Sequence, residues 1–281
     1  MALATDGDGP VAAAGALASQ VHPVFMLPAV ASSLFGAVPA GPATLHATAV
    51  FAGLYVAHVT DGYVDFYVRG EDDAHPLTER GCRVARWAAT ALFAACVVGL
   101  WLLVDVVAAL VTLPGWLIAA GHAPQLDTNP VTATTGYPLG VALALVGGHY
   151  AQAGAFAPVP LGFGVVFLVV LSGVKVIDDS QDYAYDRSIE KRTVAVALGR
   201  SRSRTVAYGL MVGGLLATVA LAAADVFPPG AVLAAAAFAV VAGIARRAEP
   251  EIATMLLIRG AYVFLAVLLV AVQWEPLGTL P

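Results

Sequence analysis

The stretch KVIDDSQDYAYDRSIEKRT, residues 175–193, holds four aspartates, one glutamate, two arginines and the only two lysines of the chain. It follows a long, almost unbroken apolar run. The whole 281-residue chain is 59% hydrophobic and 12% charged, whereas soluble domains are about 45–50% apolar and about 25% charged. We therefore expect an integral membrane protein that concentrates its charge outside the bilayer.

Nine apolar segments are candidates for membrane-spanning helices, each of which needs about 20 residues. Helices are expected because backbone groups in lipid are satisfied only in helices or closed barrels, and no segment alternates as a barrel strand does. The predicted fold class is all-α, a polytopic bundle of about nine transmembrane helices. The third and fourth segments nearly merge at Asp105, so eight spans are also compatible with the sequence. The segments are roughly 22–40, 43–61, 84–103, 105–122, 137–155, 158–177, 203–223, 229–246 and 252–273.

The domain organisation predicted from these segments is one transmembrane domain, residues 21–281. Two charged loops interrupt it, at 57–83 and 175–202. Residues 1–20 are rich in Ala and Gly and lack the basic start of a signal peptide. We expect them to form a disordered tail.

Positive charge is distributed asymmetrically between the loops. The loops after the second, sixth and eighth segments carry nearly all the Arg and Lys, whereas the loops near 41, 104, 156 and 227 carry none. Loops rich in Lys and Arg stay in the cytoplasm. We expect a multi-pass protein of the cell membrane, with both charged loops facing the cytosol.

The second acidic cluster has helical spacing. Asp178, Asp182 and Asp186 recur every four residues, and Asp179 precedes Asp182 by three, so on a helix they share one face, where like charges repel. A divalent cation would relieve this repulsion, and Mg²⁺ is usually held by one or two carboxylates together with substrate phosphates. Carboxylates flanked by Lys and Arg predict a magnesium-dependent diphosphate site.

The first acidic cluster repeats part of this pattern. Asp61, Asp65 and Arg69 are spaced by four residues, and further acidic residues follow in an expected loop, where charge needs no special explanation. The two clusters follow the second and sixth segments, which is compatible with an internal repeat of helical hairpins.

The two acidic clusters resemble the aspartate-rich motifs of the UbiA superfamily of intramembrane prenyltransferases. Its second motif, D-x-x-D-x-x-x-D-x-x-x-G-K-R-T, is matched from Asp179 to Thr193, with Glu190 in place of the glycine. Its first motif, N-x-x-x-D-x-x-x-D, departs more, since Asp61 replaces the asparagine and Arg69 the last aspartate. The segment HPL at 75–77 resembles the stretch that follows the first motif. GGHYAQAG at 147–154 resembles the branch that prenylates 1,4-dihydroxy-2-naphthoate.

The resemblance implies transfer of a polyprenyl group from its diphosphate to a lipophilic, quinone-precursor acceptor, with Mg²⁺ as cofactor. The partners are these two substrates and the bilayer; no protein partner is evident, and the net charge of −5 argues against nucleic acid. The catalytic residues that it implies are Asp65, Asp182 and Asp186. The implied metal ligands are Asp61, Asp65, Asp179, Asp182 and Asp186. Lys191, Arg192 and Arg69 would bind the diphosphate, and His149, Tyr150, Gln152 and Arg259 the acceptor.

The sequence is also compatible with other residue roles, other acceptors and other protein classes. The polar residues of 147–154 are equally compatible with hydrogen bonds between packed helices, and Arg259 with a side chain that extends to the interface. The acceptor could instead be an ether lipid, a carotenoid, a phenolic acid or a haem. A CDP-alcohol phosphotransferase is disfavoured, because no Ala-Arg follows Asp61 and Gly62 at the required spacing. An ion transporter is disfavoured because its sites usually lie near the bilayer midplane.

Overall fold

The computed structural model describes residues 2–35, 41–123 and 125–274 of the chain. In these ranges the protein consists of α-helices with two short helical segments of other types, and its one β-bridge joins Ala4 to Leu77. The predicted all-α fold class is confirmed. The helices are α1 (Pro10–Ala18), α2 (Pro23–Ser33), α3 (Pro42–Tyr63), α4 (Glu79–Leu103), α5 (Val106–Ala120), α6 (Pro130–Ala153), α7 (Pro158–Gln181), α8 (Tyr183–Ser188), α9 (Val194–Leu198), α10 (Arg200–Ala223), α11 (Ala231–Ala245) and α12 (Pro250–Trp274).

Each of the nine apolar segments coincides with a helix, although residues 36–40 of the first lie outside the described residues. Six helices are long and apolar enough to cross a membrane: α3 with its continuation to residue 69, α4, α6, α7, α10 and α12. α5 and α11 are apolar but have only 15 residues each, and α1 and α2 form one pair bent by 69°. The chain is a multi-pass membrane protein. Its described residues contain six such spans by length and composition, or seven if the bent pair counts as one.

Residues 2–18 differ from the disordered tail that we expected. Ala4 is buried against Leu77, and the Thr5 and Thr78 backbone amides donate to Pro76 and Leu3 carbonyls, both at 3.0 Å. α1 follows, and the Tyr55 hydroxyl donates to the Leu17 carbonyl at 2.8 Å. Order in this segment comes from contacts distant in sequence, which composition does not reveal.

The chain folds into two compact units. The first comprises residues 1–127 and 143–155, the second residues 128–142 and 156–281. In the first, α3 packs on α2, α4 and α5 through small side chains such as Ala49 and Ala52, which are fully buried. α6 approaches α2 so closely that a Cβ on Gly148 would lie 1.9 Å from the Ser33 carbonyl oxygen.

In the second unit, α7 packs mainly against α10 and also against α12, which pairs with α11. Gly173 and Gly214 permit the α7–α10 contact, because added Cβ atoms would lie 2.6 Å from the Ala207 carbonyl oxygen and 2.5 Å from Val170 Cγ2. Small residues at such positions let membrane helices pack closely. This contact holds the end of α7 that carries the second acidic cluster.

Candidate active site

The first acidic cluster lies where α3 changes its winding. α3 passes directly into a π-helix, Val64–Arg69, which ends at Gly70 with a positive φ of 65°. The Glu71 amide donates to the Asp65 carbonyl at 2.7 Å. Single π-turns inside α-helices occur frequently at functional sites. The π-helix replaces the regular α-helix at Asp65 and Arg69, but these two side chains remain in contact, as their spacing predicts.

Arg69 is the centre of this cluster. Its guanidinium donates to Asp65 and to Asp127, each at 3.3 Å, and lies 3.7 Å from Glu71 Oε1. These side chains are 14–25% exposed. Asp72 and Asp73, which follow in the loop, are exposed. The first cluster thus contains its own cation, held by three carboxylates.

Sequence reasoning missed Asp127. It belongs to a short 3₁₀ helix, Leu126–Thr128, 58 positions after Arg69. It is a single acidic residue in a loop, without a motif around it, so only the folded chain reveals its pairing with Arg69.

The segment that follows the first cluster is held by the N-terminal residues through the bridge at Leu77. His75 in this segment is 6% exposed, and its ring lies 5.9 Å from that of Phe66 and 5.8 Å from that of Tyr67. The HPL stretch therefore packs against the π-helix that carries Asp65.

The second acidic cluster is divided between two helices. α7 ends at Gln181, Asp182 occupies the junction, and α8 begins at Tyr183. The predicted continuous helix through Asp186 is wrong at this junction, because Asp182, with ψ of 11°, departs from regular helical geometry. Glu190 has a positive φ of 59°. Its left-handed conformation gives a physical reason for glycine at this place in the motif.

Five charged side chains of the second cluster form ion pairs at the end of α7, in α8 and just after α8. Lys175 Nζ lies 3.1 Å from Asp178 Oδ2 and also pairs with Asp179, while Lys191 Nζ lies 3.9 Å from Asp186 Oδ1. Asp179 and Asp186 are each 3% exposed. Among the described residues, Oδ2 of Asp179 is buried without a hydrogen-bond partner.

The electrostatics of Asp186 reflect this crowding. Burial raises the pKa of its carboxyl to about 6, the Lys191 charge opposes the rise, and the Asp179 and Asp182 charges add to it. Thr193 contributes a hydroxyl 3.4 Å from Asp186 Oδ2, and this threonine also caps α9 by accepting from the Val196 amide. A cation that binds here would compete with a proton.

The two clusters differ in how well they suit Mg²⁺. In the part of the chain that the structure describes, no group of three His, Cys, Asp or Glu is arranged to hold a metal alone. The second cluster offers carboxylate oxygens, one of them buried and unpartnered at Asp179, and Mg²⁺ needs only one or two carboxylates when phosphates complete its shell. In the first cluster the Arg69 guanidinium lies among Asp65, Glu71 and Asp127 and already supplies these carboxylates with a positive charge.

Two of the four residues expected at the acceptor, Tyr150 and Gln152, have hydrogen-bond partners inside the protein. The Tyr150 hydroxyl donates to Asp105 at 2.9 Å, and Asp105 also caps α5. Gln152 donates to the Gly148 carbonyl at 2.8 Å. His149 is partly buried, and Arg259 on α12 is exposed. For Tyr150 and Gln152 the hydrogen bonds favour the packing interpretation that the sequence left open.

No protein-family model and no curated protein matches the sequence, whereas solved structures match its fold. A structure concerning digeranylgeranylglyceryl phosphate synthase in membranes is 13% identical, with a TM-score of 0.67, over 93% of this chain and 91% of that one. A UbiA homologue from Archaeoglobus fulgidus bound to Cd²⁺ is 16% identical, with a TM-score of 0.66, over 93% and 99%. A UbiA homologue from Archaeoglobus fulgidus bound to DMAPP and Mg²⁺ is 16% identical, with a TM-score of 0.57, over 92% of this chain and 87% of that one. The chain has the UbiA fold, which confirms the resemblance at the level of the fold.

Proposed function

We propose that this chain, with its UbiA fold, is an intramembrane prenyltransferase that moves a polyprenyl group from its diphosphate to a lipophilic acceptor. The observation that carries the proposal is the second cluster, where buried Asp179 and Asp186 lie beside Lys175 and Lys191 at the end of an apolar helix. Buried charges are costly unless they are paired or bind ions. A UbiA homologue with this fold was solved with DMAPP and Mg²⁺.

The roles that we propose for the second cluster follow from its chemistry. Asp179, Asp182 and Asp186 would hold Mg²⁺ through carboxylate oxygens, and bound Mg²⁺ supplies charge neutralisation for the diphosphate as it leaves. Lys191 and Arg192 would donate hydrogen bonds to phosphate oxygens. Lys175 holds the Asp179 carboxylate in place.

The reaction breaks the allylic carbon–oxygen bond of the donor, and the bonding electrons leave with the diphosphate. A nucleophilic carbon of the acceptor forms the new bond to the prenyl group and then loses its proton. A carbocation-like centre needs a site without water, which the apolar helices would supply. Charge would therefore be confined to the diphosphate end of the site.

For the first cluster we propose a guanidinium in place of a metal ion. Asp61 and Asp65 were expected to be metal ligands, but Asp65 is bound by Arg69. Guanidinium groups suit phosphate recognition. Arg69 would face the donor diphosphate while Asp127 and Glu71 fix its orientation.

For the acceptor we propose an aromatic quinone precursor, on the resemblance of residues 147–154 alone. Since Tyr150 and Gln152 have internal partners, His149 is the residue of this stretch best suited to contact an acceptor. We further propose that both acidic clusters face the cytosol, from the distribution of Arg and Lys between the loops.

The test is diphosphate release by the purified protein in nanodiscs with geranylgeranyl diphosphate, Mg²⁺ and 1,4-dihydroxy-2-naphthoate. Glycerol-phosphate ether lipid and carotenoid acceptors are run in parallel. We expect release that requires Mg²⁺ and is lost in the double variant Asp182→Asn, Asp186→Asn. The matched control is Asp225→Asn, which removes a carboxylate from an exposed position on the α10–α11 loop. Absence of donor binding would refute the function, and release with only another acceptor would refute the quinone-precursor assignment.

A further inference from the structure

A groove lined by none of the acidic residues of the two clusters lies along the first half of α10, next to the end of α11. It is an open depression with a volume of about 770 Å³, within the about 300–1,000 Å³ of typical ligand sites. Its lining residues are Arg200, Ser201, Arg204, Thr205, Tyr208, Gly209, Val212 and Arg246.

Three of the residues that line this groove are arginines: Arg200, Arg204 and Arg246. Arg204 donates to the Arg246 carbonyl at 3.4 Å, and the Arg246 guanidinium lies 5.9 Å from the centre of the Tyr208 ring. The Arg200 guanidinium lies 5.3 Å from the Tyr183 ring. These contacts orient the guanidinium groups but do not neutralise them. Within the described ranges, no carboxylate lies within 4.0 Å of any of the three.

The positive charges of Arg200 and Arg204 are unfavourable at the start of α10. α10 begins with the sequence RSRSR, and its first turn contains no acidic residue. The amino end of a helix is itself partly positive, so arginines there are repelled by the helix as well as by one another. The chain carries a net charge of −5, so the cluster does not follow from composition. An anion in the groove would relieve the repulsion.

Another part of the groove is apolar. Gly209 and Val212 line it, and the apolar residues nearby point outward: Val212 is 52% exposed, Leu216 on α10 64% and Ile244 on α11 56%. In a helix that crosses the bilayer, this surface faces lipid. The groove thus leads from a cluster of cations to a wall that suits an acyl chain.

We propose that this groove binds an anionic membrane lipid, whose phosphate lies among Arg200, Arg204 and Arg246 and whose acyl chain runs along Val212. Basic pockets between membrane helices on the cytoplasmic side bind anionic head groups. Inorganic phosphate shares the head-group chemistry but has nothing to occupy the apolar part. The site is independent of the prenyltransferase proposal.

The experiment measures retained lipid by native mass spectrometry, after reconstitution in nanodiscs of phosphatidylcholine with or without phosphatidylglycerol. The groove variant is Arg204→Gln with Arg246→Gln. The matched control is Arg202→Gln with Arg247→Gln, which removes the same charge from neighbouring exposed positions that do not line the groove. Thermal stability with added inorganic phosphate is measured in parallel.

We expect the native protein and the control variant to retain phosphatidylglycerol in preference to phosphatidylcholine. The groove variant should bind it at least about tenfold more weakly, since each arginine near a lipid phosphate contributes to binding. Equal losses in the two variants would overturn the proposal in favour of a diffuse basic surface. Retention without preference for phosphatidylglycerol would overturn it, and so would displacement of the lipid by millimolar inorganic phosphate.

Discussion

Replacement of Arg69 by methionine should destabilise the protein measurably. Methionine keeps much of the side-chain stem but leaves Asp65, Glu71 and Asp127 close together without a cation. Loss of one partner of a buried ion pair costs about 3–5 kcal/mol, and an exposed pair is worth only about 0–1 kcal/mol. With side chains 14–25% exposed, we expect a loss of about 2–3 kcal/mol, between these limits.

The assay is thermal unfolding in nanodiscs, where this loss should lower Tm by about 5 °C. Arg83→Met serves as the control, because Arg83 is exposed on α4. A double-mutant cycle with Asp127→Asn should give a coupling energy of about 1 kcal/mol between positions 69 and 127. A coupling energy of zero, or an Arg69→Met protein as stable as the Arg83→Met control, would refute the assignment of Arg69 as the ionic centre of the first cluster.

Three further predictions concern other parts of the chain. Burial raises the pKa of Asp186 to about 6, so the fraction of its carboxylate form falls about tenfold for each pH unit below that value. Mg²⁺-dependent binding of the prenyl donor should therefore weaken between pH 7 and pH 5. The Asp186→Asn variant should bind the donor poorly throughout that range. Glu190→Gly should raise Tm by about 2 °C, since it relieves a left-handed conformation that costs about 1 kcal/mol; a lower Tm would contradict the strain argument. Gly148→Ala should lower Tm sharply, because its Cβ would collide with the Ser33 carbonyl. Gly140→Ala should leave Tm unchanged, because there is open space around Gly140. Equal Tm values for the two variants would refute the close contact between α2 and α6.

The positions of the helices could be predicted from the sequence because the bilayer constrains every apolar run in the same way. A segment buried in lipid must satisfy its own backbone hydrogen bonds, so each of the nine apolar segments indicates a helix without knowledge of its neighbours. The acidic clusters were also evident, since charge stands out in a chain that is 59% hydrophobic. Their spacing was enough to predict that Asp179, Asp182 and Asp186 lie near one another. In the structure the charges of Asp179 and Asp182 raise the pKa of the Asp186 carboxyl.

Contacts between distant segments could not be read from the sequence. The pairing of Arg69 with Asp127 spans 58 positions, and the order of residues 2–5 depends on backbone hydrogen bonds to residues 75–78. The arginine groove likewise needs α11 to bring Arg246 beside Arg204. In each case the local sequence is compatible with more than one conformation, and the free energy that selects one comes from a partner that only the folded chain brings near.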